Sequence, residues 1–187
     1  GTPGVGKTTV ARKVSQLLNA LYLEVGKLAI EKGYIVGKDE KRDTLIIDYK
    51  KVKEELTKIV RQAQKESKTI VIDSHYADIL PRKYITCVIV LRLNPKELFN
   101  RLIKKGWSIE KVKENVEAEL VDHCLIKAVE AYGTRIVKEI DVTGLNEEQS
   151  ARRVLDAIYG THVSEPGSVN WLKVLEEDET FRKALQR

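Results

Sequence analysis

The sequence has 187 residues, with 33 lysines and arginines against 28 aspartates and glutamates, which gives a formal net charge of +5 at pH 7. A hydrophobic fraction of 42% excludes an intrinsically disordered chain, and no run reaches the roughly 18 uncharged apolar residues of a membrane helix, so we expect no membrane partner. Two cysteines, Cys87 and Cys124, fit neither a disulfide framework nor a paired-ligand metal site. We therefore expect one soluble domain in a reducing compartment, the cytoplasm, or the nucleus if the protein is eukaryotic.

A glycine-rich motif opens the sequence: Gly1-Thr-Pro-Gly-Val-Gly6-Lys7-Thr8-Thr9 matches the Walker A pattern Gly-x-x-x-x-Gly-Lys-Thr. In this pattern the glycines let backbone N–H groups turn toward phosphates, Lys7 reaches the β and γ phosphates, and the Thr8 hydroxyl coordinates Mg²⁺. The motif therefore predicts binding of a nucleotide with Mg²⁺ by the loop residues Gly4, Val5, Gly6, Lys7, Thr8 and Thr9. Such a loop follows a buried strand, so we expect a strand of about five residues ahead of Gly1.

Hydrophobic periodicity predicts helices and strands in alternation along the first half of the chain. Val10, Val14, Leu17, Leu18 and Leu21 have the spacing of one helix face, and we place this helix at residues 7–19. The next predicted elements are a short extended segment at residues 22–25, a helix at about 26–33, a mobile polar loop at 34–43, an extended segment at 44–47 and a periodic helix that begins after Asp48.

The second half of the chain continues the alternation. Residues 69–73 and 84–91 have the continuous hydrophobicity of parallel strands that are covered on both faces. The remaining predicted elements are a helix at residues 95–106, a long helix from Ser108 to about Tyr132, a strand at about 134–142 and a helix at 147–159. Strands that alternate with helices predict an open α/β sheet, mostly parallel.

The last 28 residues differ in pattern from the rest. Residues 160–170 break all periodicity and read as a linker, and the residues from Trp171 onward place a loose apolar stripe on a charged C-terminal helix. Two interpretations of this helix stay open: it packs on its own domain, or it docks to a partner.

An apolar strand that ends in a carboxylate, Thr69-Ile-Val-Ile-Asp73, is typical of a Walker B strand. Asp73 is expected to hold Mg²⁺ through water, because Mg²⁺ keeps most of its hydration shell. Taken alone, this aspartate also fits a helix or turn cap. His75 follows two residues later and fits three roles that the sequence leaves open: orienting a nucleophilic water, binding an acceptor phosphate, or capping a loop.

Together these motifs resemble the adenylate-kinase superfamily of nucleoside monophosphate kinases over residues 1–158. Within it, the sequence is most similar to the branch called adenylate kinase isoenzyme six, also described as a ribosome-biogenesis ATPase. The features that carry this resemblance are Asp73-Ser-His75, Asp78-Ile-Leu-Pro81, a very short lid around residues 104–115, and Asn115-x-Glu117-x-Glu119.

The resemblance implies a P-loop NTPase fold, with a three-layer αβα arrangement around a mostly parallel central sheet, a short lid and a C-terminal helical tail. The first strand of this sheet would lie ahead of Gly1. We accordingly divide the chain into a nucleotide kinase domain, residues 1–159, and a linker with a C-terminal helix, residues 160–187. Within the first unit, residues 24–48 are expected to bind the acceptor monophosphate and residues 104–115 to form the lid.

The same resemblance implies roles for individual residues. The expected catalytic residues are Lys7, Asp73, His75 and Lys105, and the expected metal ligands are Thr8 and Asp73. The expected adenine contacts are Arg101, Thr143 and Gly144, and the expected acceptor contacts are Gly26, Lys27 and Asp48. Arg82, which follows Pro81, is a candidate substitute for the family's clamp on the acceptor phosphate. Two features depart from the superfamily pattern: Lys105 stands where a second lid arginine is usual, and the run Asp-Gly-Phe-Pro-Arg is absent. Because lysine lacks the forked hydrogen bonding of arginine, we expect weaker clamping of the transferred phosphoryl group.

The function that the resemblance implies is transfer of the γ-phosphoryl group from Mg·ATP to AMP, which gives two ADP, with some ATP hydrolysis. The alternative is a nucleotide-driven ATPase switch that acts on a small-subunit ribosomal protein during ribosome maturation. A kinase for another nucleoside monophosphate is a third reading. The mild basicity suits an anionic ligand, either a nucleotide or a nucleic acid, and composition does not choose between them.

Overall fold

The computed structural model describes residues 1–40, 44–162 and 164–186. Its helices are α1 (Lys7–Leu17), α2 (Val25–Glu31), α3 (Tyr49–Lys65), α4 (Pro95–Lys104), α5 (Ile109–Leu120), α6 (His123–Tyr132), α7 (Glu147–Tyr159), α8 (Leu172–Glu177) and α9 (Glu179–Gln186). Its strands are β1 (Leu21–Glu24), β2 (Ile35–Asp39), β3 (Thr44–Ile47), β4 (Ile70–Asp73), β5 (Val88–Arg92) and β6 (Val137–Asp141). A short 3₁₀ helix spans Arg82–Tyr84. None of the described helices is long and apolar enough to cross a membrane.

The parallel strand pairs confirm the predicted α/β class. Strand β1 pairs with β4 and brings Glu24 opposite Asp73, while β5 pairs with β6 and brings Arg92 opposite Asp141. In both pairs the carboxyl ends of the strands lie at the same edge, where open α/β sheets bind their ligands. Helices cover these strands, as parallel sheets require.

A cavity of about 1040 Å³ is lined by residues of both β4 and β5. In the described part of the chain these two strands do not pair with each other. Apolar side chains of α1 and α7, including Val14 and Val154, line the cavity, and Lys7, Asp73 and His75 also border it. The strand expected ahead of the first residue stays a prediction.

Helices α3, α4 and α7 begin where the sequence provides capping residues. The Asp48 carboxylate accepts a hydrogen bond from the backbone N–H of Lys51, and Asn94 accepts from the N–H of Lys96 with Pro95 at the first helical position. Asn146 and Gln149 form a reciprocal capping box at the start of α7. These contacts satisfy N–H groups that have no partner within the helix, so each helix begins at a defined residue.

The predicted mobile loop at residues 34–43 is wrong where the structure describes it, because β2 lies there and pairs antiparallel with β3. Residues 41–43 of that prediction lie outside the described residues. Val36, Leu45 and Ile46 of this ribbon are exposed, so neither strand shows the alternation that marks a half-buried strand. Pairing with a neighbouring strand, rather than burial, defines the ribbon.

The predicted long helix from Ser108 to Tyr132 is also wrong, because Asp122 has a φ of +56° and separates α5 from α6. The buried Arg92 guanidinium donates to the backbone carbonyl of Glu119 at 2.9 Å and to Asp122 Oδ1 at 2.5 Å. A cation at the carboxyl end of a helix satisfies free carbonyls and interacts favourably with the helix dipole. This contact with β5 explains why α5 ends here.

The C-terminal segment forms two short helices that pack on the same chain. Trp171 and Phe181 are buried in the main hydrophobic cluster. The ring of Phe181 packs edge-to-face on Phe99, with 6.0 Å between the centroids, and Lys96 pairs with Asp178 at 2.5 Å. The structure therefore supports the interpretation in which this segment packs on its own domain.

We expect Phe181→Ala to lower the free energy of unfolding by about 3 kcal/mol, because it removes a buried ring and leaves a cavity. Leu172→Ala in the same segment is the matched control, since Leu172 is 53% exposed and its loss should change stability by less than about 0.5 kcal/mol. Urea denaturation measures both variants. Equal effects of the two substitutions would contradict the observed packing.

Candidate active site

The phosphate loop adopts a conformation that depends on glycine at two positions. Gly4 and Gly6 have φ angles of +99° and +104°, in the left-handed region that favours glycine. A Cβ atom on Gly4 would lie 2.6 Å from Leu102 Cδ2 and 2.9 Å from Leu98 Cδ1, so the loop rests directly on α4. Val5 between the two glycines is 1% exposed and anchors the loop in the core.

The loop leads into an uncapped helix N-terminus. Gly6 precedes α1 and provides no side-chain cap for its backbone N–H groups, and the first turn carries no acidic residue. Free N–H groups and the positive end of the helix dipole attract anions. Thr9 is exposed on this first turn. The start of α1 therefore offers a binding site for phosphate groups.

Lys7 lies beside this helix start. Its ammonium group donates to the backbone carbonyl of Thr2 at 3.0 Å. Burial lowers the pKa of Lys7 from its ordinary value, the Asp73 carboxylate opposes that shift, and the charge of Lys105 adds to it. An incoming phosphate would supply the negative charge that stabilises the protonated ammonium in this buried position.

The structure brings together Thr8 of the Walker A motif and Asp73 at the end of the Walker B-like strand. The Thr8 hydroxyl donates to Asp73 Oδ2 at 2.6 Å, and Asp73 is 8% exposed at the carboxyl end of β4. A hydroxyl and a carboxylate are the hard oxygen ligands that Mg²⁺ prefers, so this pair fits the predicted ion. Within the described residues no cluster of three or more His, Cys, Asp or Glu side chains is arranged as a metal site. A nucleotide-bound Mg²⁺ needs few protein ligands, because phosphates and water supply the rest.

Tyr22 on β1 contacts the same carboxylate, and the sequence analysis did not identify it. Its hydroxyl lies 3.3 Å from Asp73 Oδ2 and 3.3 Å from Glu24 Oε2. Arg12 lies 5.4 Å from the centroid of the Tyr22 ring and donates to Glu24 at 3.2 Å. Burial raises the pKa of Tyr22, so the phenol stays protonated and donates to a carboxylate. The parallel pairing of β1 with β4 creates this contact, which no local sequence motif predicts.

His75 lies near Lys7 and Asp73 at the border of the cavity. Desolvation, reinforced by the positive charge of Lys7, lowers the pKa of His75 to about 4, although the residue is exposed at the surface. The imidazole is therefore neutral at pH 7, with one nitrogen able to donate and the other able to accept a hydrogen bond.

The structure brings Arg101 and the 143–144 turn together through Glu97, a residue that the sequence analysis missed. Glu97 Oε1 accepts from Arg101 Nη2 at 2.5 Å, and Glu97 Oε2 accepts from the backbone N–H of Gly144 at 3.2 Å. Thr143 Oγ1 accepts from the N–H of Asn94 at 2.8 Å. Because Glu97 and Arg101 are one helical turn apart on α4, their spacing is the signal that identifies such a pair.

Comparison with known proteins identifies similar sequences. The family model described as AAA domain matches residues 1–122. A protein of Pyrococcus furiosus named "Putative adenylate kinase" is 40% identical over 177 residues, which cover 95% of this chain and 91% of that protein. Proteins with the same name are 39% identical in Saccharolobus islandicus over 83% of this chain and 79% of the relative, and 35% identical in Methanosarcina acetivorans over 92% and 95%.

The chain belongs to the adenylate-kinase-like superfamily of P-loop kinases. A solved structure of an uncharacterized protein from Eubacterium ventriosum shares the fold, with a TM-score of 0.54 over 85% of this chain and 94% of that one, at 11% sequence identity. The fold is the P-loop NTPase αβα architecture. Membership of this superfamily supports a function of the nucleotide kinase type.

The expected acceptor residues of this P-loop kinase make contacts within their own segments. Asp48 caps α3, and the N–H of Lys51 lowers the pKa of its carboxyl group. Lys27 pairs with Glu31 at 3.7 Å, and Arg82 donates to the carbonyl of Ile85 at 2.9 Å. Around Gly26 a Cβ atom would meet nothing within 4 Å. Acceptor contacts by these residues stay a prediction.

The expected lid begins in α4 and ends in α5, with residues 105–108 between the two helices. Lys105 is the C-cap residue of α4 and is exposed. Val112, within the lid as we bounded it, is fully buried, and the Lys111 ammonium lies 4.4 Å from the centroid of the Trp107 ring. The stretch between the two helices is therefore about four residues long, and Trp107 within it packs against the main hydrophobic cluster.

We expect Gly4→Ala to destabilise the kinase by about 2–4 kcal/mol, because it adds a steric clash with α4 to the strain of a positive φ. Gly160→Ala is the matched control: Gly160 has a φ of +76°, and a Cβ atom there would meet nothing within 4 Å. This substitution should lower the free energy of unfolding only through backbone strain, by about 1 kcal/mol. The two unfolding free energies, measured by denaturant titration, should differ; equal losses would contradict the close approach of the loop to α4.

Proposed function

We propose that this protein is an Mg·ATP-dependent nucleoside monophosphate kinase of the adenylate kinase type, which transfers the γ-phosphoryl group of ATP to AMP and also hydrolyses some ATP. The observation that carries the proposal is the 2.6 Å hydrogen bond between Thr8 and Asp73, beside Lys7 and the uncapped start of α1. This arrangement supports the proposal, because a lysine, a hydroxyl–carboxylate pair of the kind that Mg²⁺ prefers and a helix N-terminus that attracts anions lie beside one another. The relatives named "Putative adenylate kinase" support the same reading.

In the proposed reaction, the chain binds and orients rather than forming a covalent intermediate. The N–H groups of the loop and of α1 hold the phosphates of ATP, and the Lys7 ammonium stabilises the charge on the β and γ phosphates. Thr8 and Asp73 would hold Mg²⁺, which supplies charge neutralisation when it is bound. Positioning and electrostatic stabilisation of this kind account for most of the rate enhancement of phosphoryl transfer.

The acceptor side of the reaction requires an oxygen of AMP in line with the γ phosphorus. A neutral His75 beside Lys7 and Asp73 can donate a hydrogen bond to that phosphate or orient a water in its place. Residues 24–48, with Gly26, Lys27 and Asp48, and Arg82 beyond them are the proposed contacts of AMP. Arg101 and the 143–144 turn are the proposed contacts of adenine in ATP.

A second candidate is an ATPase switch that acts on a small-subunit ribosomal protein. The observation that favours it is the absence of arginine between residues 104 and 115, where the chain offers lysines instead. A lysine neutralises the transferring phosphate as a point charge but cannot form the two parallel hydrogen bonds of an arginine. A water molecule therefore competes more easily with AMP as the acceptor.

Product stoichiometry separates the two candidates. Under the kinase proposal, added AMP accelerates the consumption of ATP, and two ADP form for each ATP that is lost. A rate that does not respond to AMP, with one ADP and one phosphate for each ATP, would favour the ATPase switch. Coupled enzyme assays and chromatography of the nucleotides measure both quantities.

We expect Asp73→Asn to lower Mg²⁺-dependent turnover by about 10- to 100-fold, since a neutral amide holds a hydrated cation poorly. Binding of ATP without metal should change far less, because the loop and Lys7 stay in place. Asp178→Asn, which alters an ion pair outside the site, is the control and should leave turnover intact. Equal losses of turnover and metal-free binding in Asp73→Asn would show that Asp73 is structural.

We expect Lys105→Ala to lower AMP phosphorylation by about tenfold and Lys105→Arg to preserve or raise it, because a forked cation clamps phosphate at least as well. Lys104→Ala, one residue earlier, is the matched control. Arg101→Lys should instead raise the apparent KM for ATP by about three- to tenfold through loss of stacking on adenine. Steady-state kinetics with varied ATP and AMP measure all four variants. Unchanged transfer in Lys105→Ala together with abolished transfer in Arg101→Lys would reverse these roles.

A further inference from the structure

Glu119 is a buried carboxylate that joins three distant parts of the chain. It is 1% exposed and lies at the end of α5. Its Oε2 accepts from the Thr2 hydroxyl at 2.5 Å, and its Oε1 accepts from Arg92 Nε at 2.7 Å, from the N–H of Leu93 at 3.2 Å and from Trp171 Nε1 at 3.1 Å. The donors come from the phosphate loop, from the end of β5 and from the C-terminal segment.

The bond to Thr2 reaches the phosphate-binding lysine in one further step. Thr2 is fully buried, and its backbone carbonyl accepts from the Lys7 ammonium at 3.0 Å. Its hydroxyl donates to Glu119 and lies 3.9 Å from Cys124 Sγ, a much weaker contact. Glu119 thus fixes the residue whose carbonyl orients Lys7.

A second carboxylate holds the same C-terminal segment. Glu139 Oε2 accepts from the N–H groups of Gly167, Ser168 and Val169 at 2.9, 2.8 and 3.2 Å. Its other oxygen, Oε1, accepts from Arg92 Nη1. The segment that leads to Trp171 is therefore held in position independently of the phosphate loop, so the indole N–H presents a fixed donor to Glu119.

We propose that Glu119 is a positioning residue for the phosphate loop, and that Trp171 of the C-terminal segment sets the affinity of the loop for ATP by holding the Glu119 carboxylate in place. The proposal rests on the proposed function, because it concerns the same ATP site. Removal of the indole donor leaves the carboxylate with Arg92 and Leu93 as the remaining donors to Oε1. The carboxylate can then turn toward them, which loosens the Thr2 contact and with it the orientation of Lys7.

Trp171→Phe tests the proposal, because it keeps an aromatic ring in the core and removes the indole N–H donor together with part of the ring system, whose loss the matched control accounts for. We expect the dissociation constant for ATP, measured by calorimetry, to rise about three- to tenfold, the range that corresponds to loss of one hydrogen bond. The KM for ATP should rise with it, while kcat at saturating ATP changes little. Phe181→Leu is the matched control, since Phe181 is buried in the same segment but is not among the donors to Glu119. Unchanged ATP affinity in Trp171→Phe, or an equal loss in Phe181→Leu, would overturn the proposal.

A double-mutant cycle with Thr2→Val identifies the route. If the effect passes through Glu119 and Thr2, Trp171→Phe should weaken ATP binding little further once the Thr2 hydroxyl is absent. Additive losses would overturn the proposed route. A measurement on the unaltered chain gives the same test without a variant: by linkage, saturating ATP should slow hydrogen exchange of the Trp171 indole N–H, and an unchanged rate would overturn the coupling.

The outcomes distinguish this proposal from the proposed function. If the unaltered protein binds ATP with the expected coupling but does not phosphorylate AMP, the kinase assignment fails and the coupling stands. If AMP is phosphorylated but Trp171→Phe binds ATP as tightly as the unaltered protein does, the coupling fails and the kinase assignment stands.

Discussion

Arg92 carries a fully buried guanidinium whose charge must be balanced within the protein, and much of the structure follows from how this is done. Glu119, Glu139 and Asp122 approach it from α5, β6 and the break before α6. A buried cation that lost one of these partners would leave an uncompensated charge in the interior. The requirement fixes the end of α5 against β5, and through Glu119 and Glu139 it also holds the C-terminal segment. Buried ion pairs of this kind fix how three separate parts of the chain pack against one another.

The candidate active site is built mostly on regular elements. The phosphate loop is confined between the core, through Val5, and α4, through the close approach at Gly4. Asp73 stands at the end of the parallel strand β4, and Thr8 stands in the first turn of α1, the helix that follows the phosphate loop. Sites on strand and helix ends are held more precisely than sites on loops, and phosphoryl transfer depends on such positioning. The rigidity of this half of the site suits a reaction in which the protein orients two substrates.

The other half of the site is less constrained. The proposed acceptor segment includes an exposed two-stranded ribbon, β2 and β3, whose apolar side chains Val36 and Ile46 face solvent. The proposed lid is short, and Val112 and Trp107 pack in or against the main hydrophobic cluster. Under this proposal, exclusion of water from the site depends on few side chains. A short lid with lysines is consistent with transfer to AMP and hydrolysis of ATP at the same site.

The sequence alone determined the elements that depend on local spacing. It placed the phosphate loop and the Asp73 strand, and it located the start of α3 at Asp48 and of α4 at Pro95, because a motif or a cap is a property of neighbouring residues. Only the tertiary structure decided the contacts between distant residues. The β2–β3 pairing and the break at Asp122 follow from partners elsewhere in the chain, namely a neighbouring strand and the buried Arg92. The contacts of Tyr22 with Asp73 and of Glu119 with the phosphate loop likewise arise from packing, since hydrogen bonds across 51 and 117 residues leave no periodic signal in the sequence.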